Sequence, residues 1–313
     1  MGLYFLIYIC ATAKKQLLGL EKQHNMIKDI YRFLSSKYQT LFLEYKVAFK
    51  PRYGHGNAPH SSLYTIINEH RETYNSMIDK ALSFSNEIWS IKKSEDEKNP
   101  NNPCWNNDFL PGLDIISIYT MLATYKPNKY IEIGSGNSTK VAFKAKKEQG
   151  LTTKIISIDP EPRAEIDSLA DTVVRKPFES VDFDIVDELQ ENDILFVDNS
   201  HRILPNSDAM VFFMEILPRL KKGVIVHIHD IYLPYDYPQF MCDRFYSEQY
   251  GLAMYILANP KKYITIMPNY FIFEERLCLK SLPPYGSIKT WKVLKNMAVR
   301  IGLKLEHKAS RLT

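Results

Sequence analysis

Glycine is scarce in this sequence, at 12 of 313 residues, against a usual share of about 7%. Paired glycines therefore carry information, and two close pairs occur, Gly54/Gly56 and Gly134/Gly136. Cysteine is sparse too. Cys10, Cys104, Cys242 and Cys278 are scattered and form no CxxC pair, which excludes a zinc ribbon and a dense disulfide scaffold. Reduced thiols in a cytoplasmic protein are the expectation. No long apolar run exists. The longest opens the chain, from Met1 to Ala11, about half of the roughly 20 residues that span a bilayer. Its first lysines, Lys14 and Lys15, follow the run instead of preceding it, unlike a signal peptide. Leu6 stands where a myristoylation signal needs Ser or Thr. A terminal element packed on the protein is expected, with a weak membrane contact as the alternative. Charge of one sign is missing as well. Forty basic against 36 acidic residues leave +4, too small a bias to point to nucleic acid.

What is present is ordinary globular material: 45% hydrophobic residues, 24% charged, with 20 Tyr and 16 Phe. Residues 12 to about 93 show apolar positions three and four apart, such as Ile27, Ile30, Tyr31 and Leu34, and predict helices. The polar loop from Lys50 to His60 interrupts them. The proline-punctuated stretch from Ser94 to Pro103 marks the best domain boundary. Beyond it, short β-branched runs end at Ile133, Ile158, Val174, Val197 and Ile228, and helical patterns separate most of them. That alternation predicts an α/β fold, a doubly wound, mostly parallel sheet. Tyr263–Met267 and Tyr270–Phe273 are expected as closing strands. From Ile288 the tail is basic and amphipathic, which predicts a helix packed on the protein or on a second copy in a homo-oligomer, or lying on a membrane surface. The expected organisation is a helical extension over 1–104, a core over 105–275 and the tail over 276–313.

Gly134-Ser135-Gly136 follows the first predicted strand and precedes a helix. Ligands of open parallel sheets sit at the carboxyl ends of strands, and glycines there let backbone approach a ligand closely. Thr139 replaces the third glycine of GxGxxG, which disfavours a dinucleotide. Asp159 closes the second strand, where a carboxylate can accept both hydroxyls of a ribose. Glu132, inside the first strand end, could offset a cationic ligand group. With Glu132-Ile-Gly-Ser-Gly136-Asn-Ser-Thr139, Ile158-Asp-Pro-Glu-Pro-Arg163, Phe196-Val-Asp-Asn-Ser-His201 and His229-Asp-Ile-Tyr-Leu-Pro-Tyr-Asp-Tyr-Pro238, the sequence resembles the class I S-adenosylmethionine (SAM)-dependent methyltransferases, over about 115–275. The resemblance implies a Rossmann-like core. It implies that the loop Gly134, Ser135, Gly136, Asn137 and Ser138, with Glu132 and Asp198, surrounds the amino-acid end of SAM. Asp159 would hold the ribose, and Glu179 would lie near the adenine.

A second constellation, Asp198, His201, His229 and Asp230, ends the fourth and fifth strands. Adjacent strand ends are about 5 Å apart, so both carboxylates can reach one ion. Methyl transfer to oxygen needs the acceptor proton removed, which a divalent cation and a near-neutral histidine can do together. In this scheme Asp198 and Asp230, with His229 as a candidate third ligand, hold Mg²⁺ or Mn²⁺, and His201 is the base; without an ion, His201 or His229 would be the base. His229 either ligates or orients the acceptor. The set is similar to metal-dependent O-methyltransferases of sugars and polysaccharides. Arg52, Tyr53, His55 and His60 around the other glycine pair are candidates for the acceptor side. So are Trp105, Asp108, Tyr232, Tyr235, Asp236 and Tyr237. The expected function is O-methylation of a saccharide or glycosylated small molecule. The alternatives are an amine or protein side-chain acceptor, or a catalytically silent SAM-binding scaffold. The G-x-S-x-G elbow of a hydrolase is absent.

Overall fold

The computed structural model describes residues 30–31, 33–36, 38–162 and 165–275. The opening apolar run, Cys10, Arg163, Cys278 and the basic tail lie outside them. Contacts divide the chain into two compact units, Met1–Ala48 and Phe49–Thr313. In the first unit Ile30, Tyr31, Phe33 and Leu34 are helical. The predicted helix does not extend through 38–48, which has no regular structure. Leu41, Phe42 and Tyr45 are all well over half exposed, and a helix without a buried face has little to stabilise it.

In the second unit the helical run after His60 is three pieces, α1 (Ser61–Asn68), α2 (Arg71–Ser83) and α3 (Ser85–Trp89). The His60 ring accepts from the Leu63 N–H and caps α1. After α4 (Gly112–Tyr125), β1 (Lys129–Ile133) opens the sheet, followed by α5 (Asn137–Glu148), β2 (Lys154–Ile158) and β3 (Thr172–Val174). A short α6 (Asp184–Asp187) leads to β4 (Ile194–Val197), and α7 (Asp208–Val211) continues through a π turn and a 3-10 turn towards β5 (Ile225–Ile228). The sheet order is β3-β2-β1-β4-β5, and every pairing is parallel. It is the doubly wound α/β architecture of a Rossmann-like core.

Alternation along the strands builds two cores. Tyr130, Ile155, Ile194, Phe196 and Ile225 face α4 and α5. Ile131, Ile156, Leu195 and Val197 face the opposite layer, with Phe212 and Ile216. Each such buried side chain contributes about 1.5–3 kcal/mol, and burial on both faces explains the unbroken apolar runs. A third cluster joins Leu63 and Ile67 of α1 and Tyr74 of α2 to α9 (Glu248–Ala258) and α10 (Asn269–Glu274). Between β5 and α9 lies the short α8 (Gln239–Cys242).

The two closing strands are a correction. Tyr263–Met267 forms no strand, and Tyr270–Phe273 lies inside α10. Pro260 and Pro268 bracket the first segment and Thr265 is tied to the Tyr74 hydroxyl. Pro268-Asn269 starts a helix whose Phe271 and Ile272 are fully buried. A short apolar run cannot distinguish strand from buried helix by periodicity alone. Among the described residues no helix is long and apolar enough to cross a membrane.

Candidate active site

The strand order reverses at β1, between β2 and β4, and the glycine loop stands at that switch. Gly134 has φ +78, and a Cβ there would lie 1.9 Å from the Asp198 carbonyl oxygen. Only glycine lets β1 turn so close to the end of β4. The Gly136 N–H donates to the Thr139 hydroxyl at 3.1 Å, and that hydroxyl donates to Glu132. Thr139, where a third glycine is missing, thus pins the loop from below. Glu132 is fully buried beneath the loop. Burial, reinforced by the Asp198 and Asp159 charges, pushes its carboxyl up to about 8, against hydrogen bonds from Ser138 and Thr139.

Asp159 spans the other side of the loop. One carboxylate oxygen accepts from the Ser135 N–H at 2.7 Å and the other from the Glu161 N–H at 2.8 Å. The Ser135 hydroxyl pairs with Ser157 at 2.5 Å. A cavity of about 460 Å³ opens here, lined by Gly134, Ser135, Asp159, Glu179, Asp198 and Asp208 among others. Glu179 sits on a 3-10 turn at Phe178–Ser180. Glu132, Gly136, Asn137 and Ser138 are not among the walls. Asn137 instead donates from its side chain to Asn107, and Ser138 is buried in the first turn of α5. Asp208, not anticipated from sequence, accepts from both the backbone and the hydroxyl of Ser200 at 2.8 and 2.5 Å.

The ends of β4 and β5 bring Asp198, His201, His229 and Asp230 together. His201 Nε2 lies 3.3 Å from Asp198 and 3.7 Å from Asp230. His229 Nδ1 lies 3.4 Å from Asp198 and 3.6 Å from Asp230. His201 and Asp230 both adopt left-handed backbone, with φ 63 and 54, a conformation that costs non-glycine residues energy and gathers at functional sites. A fifth member came from no sequence signal. Glu248, at the start of α9 and 47 residues from His201, places its carboxylate 2.5 Å from His201 Nδ1. Its other oxygen is buried without a hydrogen-bond partner, as are both ring nitrogens of His229.

Burial disfavours charge on both rings, yet the carboxylates outweigh it. Asp198 and Glu248 push His201 up to about 9. Asp198, Asp230 and Asp114 push His229 up to about 10. Burial works against ionisation of Asp198, but the neighbouring His201 and His229 hold it far below the usual carboxylate range. Asp230 and Glu248 are raised, first by burial. Among the described residues no group of three or more His, Cys, Asp or Glu side chains is placed to hold a metal ion. The expected ligands Asp198, His229 and Asp230 converge, but as ion-paired neighbours.

Most acceptor-side candidates are engaged in packing. Asp236 accepts from the Arg52 and Tyr237 N–H groups and from the Tyr250 hydroxyl. Tyr237 and Trp105 are buried. The Gly54 loop is fastened to the segment after β5: the Asp236 N–H donates to the Tyr53 carbonyl, and the His60 N–H to that of Pro234. A Cβ at Gly54 would press on Tyr235 at 2.9 Å. His55 Nε2 pairs with the Asp236 carbonyl at 2.9 Å. Asp108 is exposed, with φ 65. His227, inside β5, pairs with Asp114 at 3.2 Å.

Residues 131–231 match the family model described as a methyltransferase domain. Over that span the chain is similar to methyltransferase domains. The matched span is about a third of the chain and runs from β1 to just past Asp230, so it takes in the glycine loop, Asp159, and the ends of β4 and β5. SAM is the usual cofactor of such a domain. Neither a curated protein nor a solved structure matches the chain.

Proposed function

We propose that the protein is a class I SAM-dependent O-methyltransferase in which His201 removes the proton of an acceptor hydroxyl on a saccharide or glycosylated molecule. The observation that carries this reading is the joining of two features at one rim. The Gly134–Asp159–Asp198 cavity lies beside a buried pair of histidines braced by carboxylates. The cavity suits the cofactor: its volume falls in the range of small-molecule sites, its floor tolerates no side chain at Gly134, and Asp159 presents a carboxylate where a ribose would lie.

When bound, SAM supplies a methyl carbon that moves to the acceptor oxygen as its bond to sulfur breaks, the electron pair staying on sulfur. Asp159 and the Ser135 backbone bind and orient the cofactor. Glu248 accepts a proton bond at Nδ1 of His201 and so leaves Nε2 aimed at Asp198 and Asp230 to receive the acceptor proton. His229, with the higher pKa, stays charged and steadies both aspartates. The two histidines thereby divide base and positioning work through unequal environments. Since His201 titrates near 9, turnover rises with pH until about that value.

A second reading keeps a divalent cation. Both His229 nitrogens lack hydrogen bonds, and an ion held by Asp198, His229 and Asp230 would satisfy one of them if these side chains closed around it. The test is transfer of a radiolabelled methyl group from SAM to a panel of glycosides and amines, with and without chelator. Transfer to glycosides that His201→Ala abolishes supports the base. Loss in chelator with recovery in Mg²⁺ or Mn²⁺ supports the cation. Transfer to amines alone overturns the O-methyl reading, and SAM binding without transfer to any acceptor favours the scaffold alternative.

A further inference from the structure

Beside β5 the sheet ends. Among the described residues no strand pairs with its outer edge, and a second cavity of about 580 Å³ runs along it. Its walls come from four elements: Val226 and Ile228 of β5, Met121 of α4, Leu252 and Ile256 of α9, and Ile264 of the irregular segment before α10. Four polar side chains of the wall, Asp114, Ser117, His227 and Asn269, are engaged with one another. The Asp114 carboxylate accepts from the Asn269 amide at 2.6 Å and pairs with His227 at 3.2 Å. The Ser117 hydroxyl donates to Asn269 at 2.8 Å. A hydroxylated ring placed against the aliphatic part of the wall, at Met121, Leu252, Ile256 and Ile264, would lose water and find few new partners there. An apolar chain or ring would gain contact with the aliphatic part of the wall, against the cost of covering edge backbone groups that no strand pairs.

One end of this cavity is the reacting centre. Asp230 belongs to its wall and also faces both catalytic-cluster histidines. The cofactor cavity holds Asp198 on the other side of the same histidines. The two cavities share no wall residue, and the buried pair His201 and His229 bridges Asp198 of one to Asp230 of the other. Resting on the methyltransferase reading above, we infer that the acceptor is amphiphilic. Its hydroxylated head group lies at Asp230 and His201, and an alkyl or aryl body extends along the free edge of β5. A free sugar would leave that edge unfilled.

The inference is tested by calorimetry on protein saturated with S-adenosylhomocysteine. The probes are methyl β-D-glucoside and n-octyl β-D-glucoside, the latter below its micelle concentration. Each buried methylene strengthens binding roughly fourfold, so entry of four of the seven additional methylenes gives a preference of about two-hundredfold. Val226→Phe and, separately, Leu252→Trp narrow the cavity and should bring that preference below about tenfold, while S-adenosylhomocysteine still binds and melting stays cooperative. Two variants on different walls keep the test alive if one misfolds. Equal binding of the two glucosides, or an octyl preference untouched by both variants, overturns the amphiphilic acceptor. Failure of S-adenosylhomocysteine to bind the unmodified protein overturns the methyltransferase reading instead, so the two failures are told apart.

Discussion

Replacing Asp159 isolates the cofactor assignment from the chemistry. The side chain accepts two backbone N–H groups, from Ser135 and Glu161, one on each oxygen, and each oxygen keeps a second lone pair for a ribose hydroxyl. Hydrogen bonds to a charged group contribute about 1.5–3 kcal/mol each. Two of them set the loss in Asp159→Ala at about 4 kcal/mol, or roughly a thousandfold in affinity. Asp159→Asn is the sharper probe. Its amide has one accepting oxygen and no charge, so one backbone donor loses its partner and one hydroxyl contact is lost. A reduction of about thirtyfold, near 2 kcal/mol, is expected. The assay is calorimetric titration with S-adenosylhomocysteine, with thermal melting to show that each variant is folded at the titration temperature. Affinities within threefold of the unmodified protein for both variants would refute the ribose assignment and the electrostatic reasoning behind it.

Gly134→Ala should abolish cofactor binding and cost about 2–4 kcal/mol of stability in denaturant unfolding, because its Cβ would meet the Asp198 carbonyl at 1.9 Å; a variant that unfolds at the unmodified midpoint contradicts this. Glu248→Gln keeps an acceptor for His201 Nδ1 but removes one of the two carboxylates that raise its pKa to about 9. The acid limb of the kcat/KM profile should therefore move down by about one pH unit, about 1.4 kcal/mol, whereas a purely packing role would leave the limb in place. Glu132 titrates near 8 in the fold, above its unfolded value, so the native state holds a proton that the unfolded chain releases. Stability conferred by Glu132 thus falls as pH rises from about 4.5 to 8. Glu132→Gln should remove that slope, by a few kcal/mol across the window; parallel stability–pH curves for the two proteins would show that Glu132 is ionised in place.

The sheet was readable because its central strands β1, β2 and β4 are buried on both faces. A run such as Ile194–Val197 must then be apolar throughout, Ile155–Ile158 is broken only by Ser157, and turns bound them. The rim was readable for a related reason: a parallel sheet sends every carboxyl end to one side, so Gly134, Asp159, Asp198 and Asp230 follow from the strand ends alone. Glu248 was not readable. Its partner is 47 residues away, on a helix whose placement depends on packing against Phe213 and Ile203. Nor do residue types announce the left-handed backbone at His201 and Asp230, which no glycine marks. The aromatic segment Tyr270–Phe273 misled because burial, not alternation, decides its apolar character, and a helix against Tyr74 buries it as well as a strand would.

The glycine shortage and the charge balance meet at the same rim. Gly134 is required because β4 returns beside β1 and delivers Asp198 against the loop. That close approach places a carboxylate under the cofactor cavity and also within reach of both histidines. Asp198 is therefore the link between binding and proton transfer. Its charge is held by His201 and His229, and it in turn keeps them basic. Asp230 repeats the logic one strand further out, where β5 has no outer neighbour and the wall turns apolar. In the proposed reading the cofactor would enter over β1, β2 and β4 and the acceptor along the exposed edge of β5, their reacting atoms meeting directly at the rim beside His201.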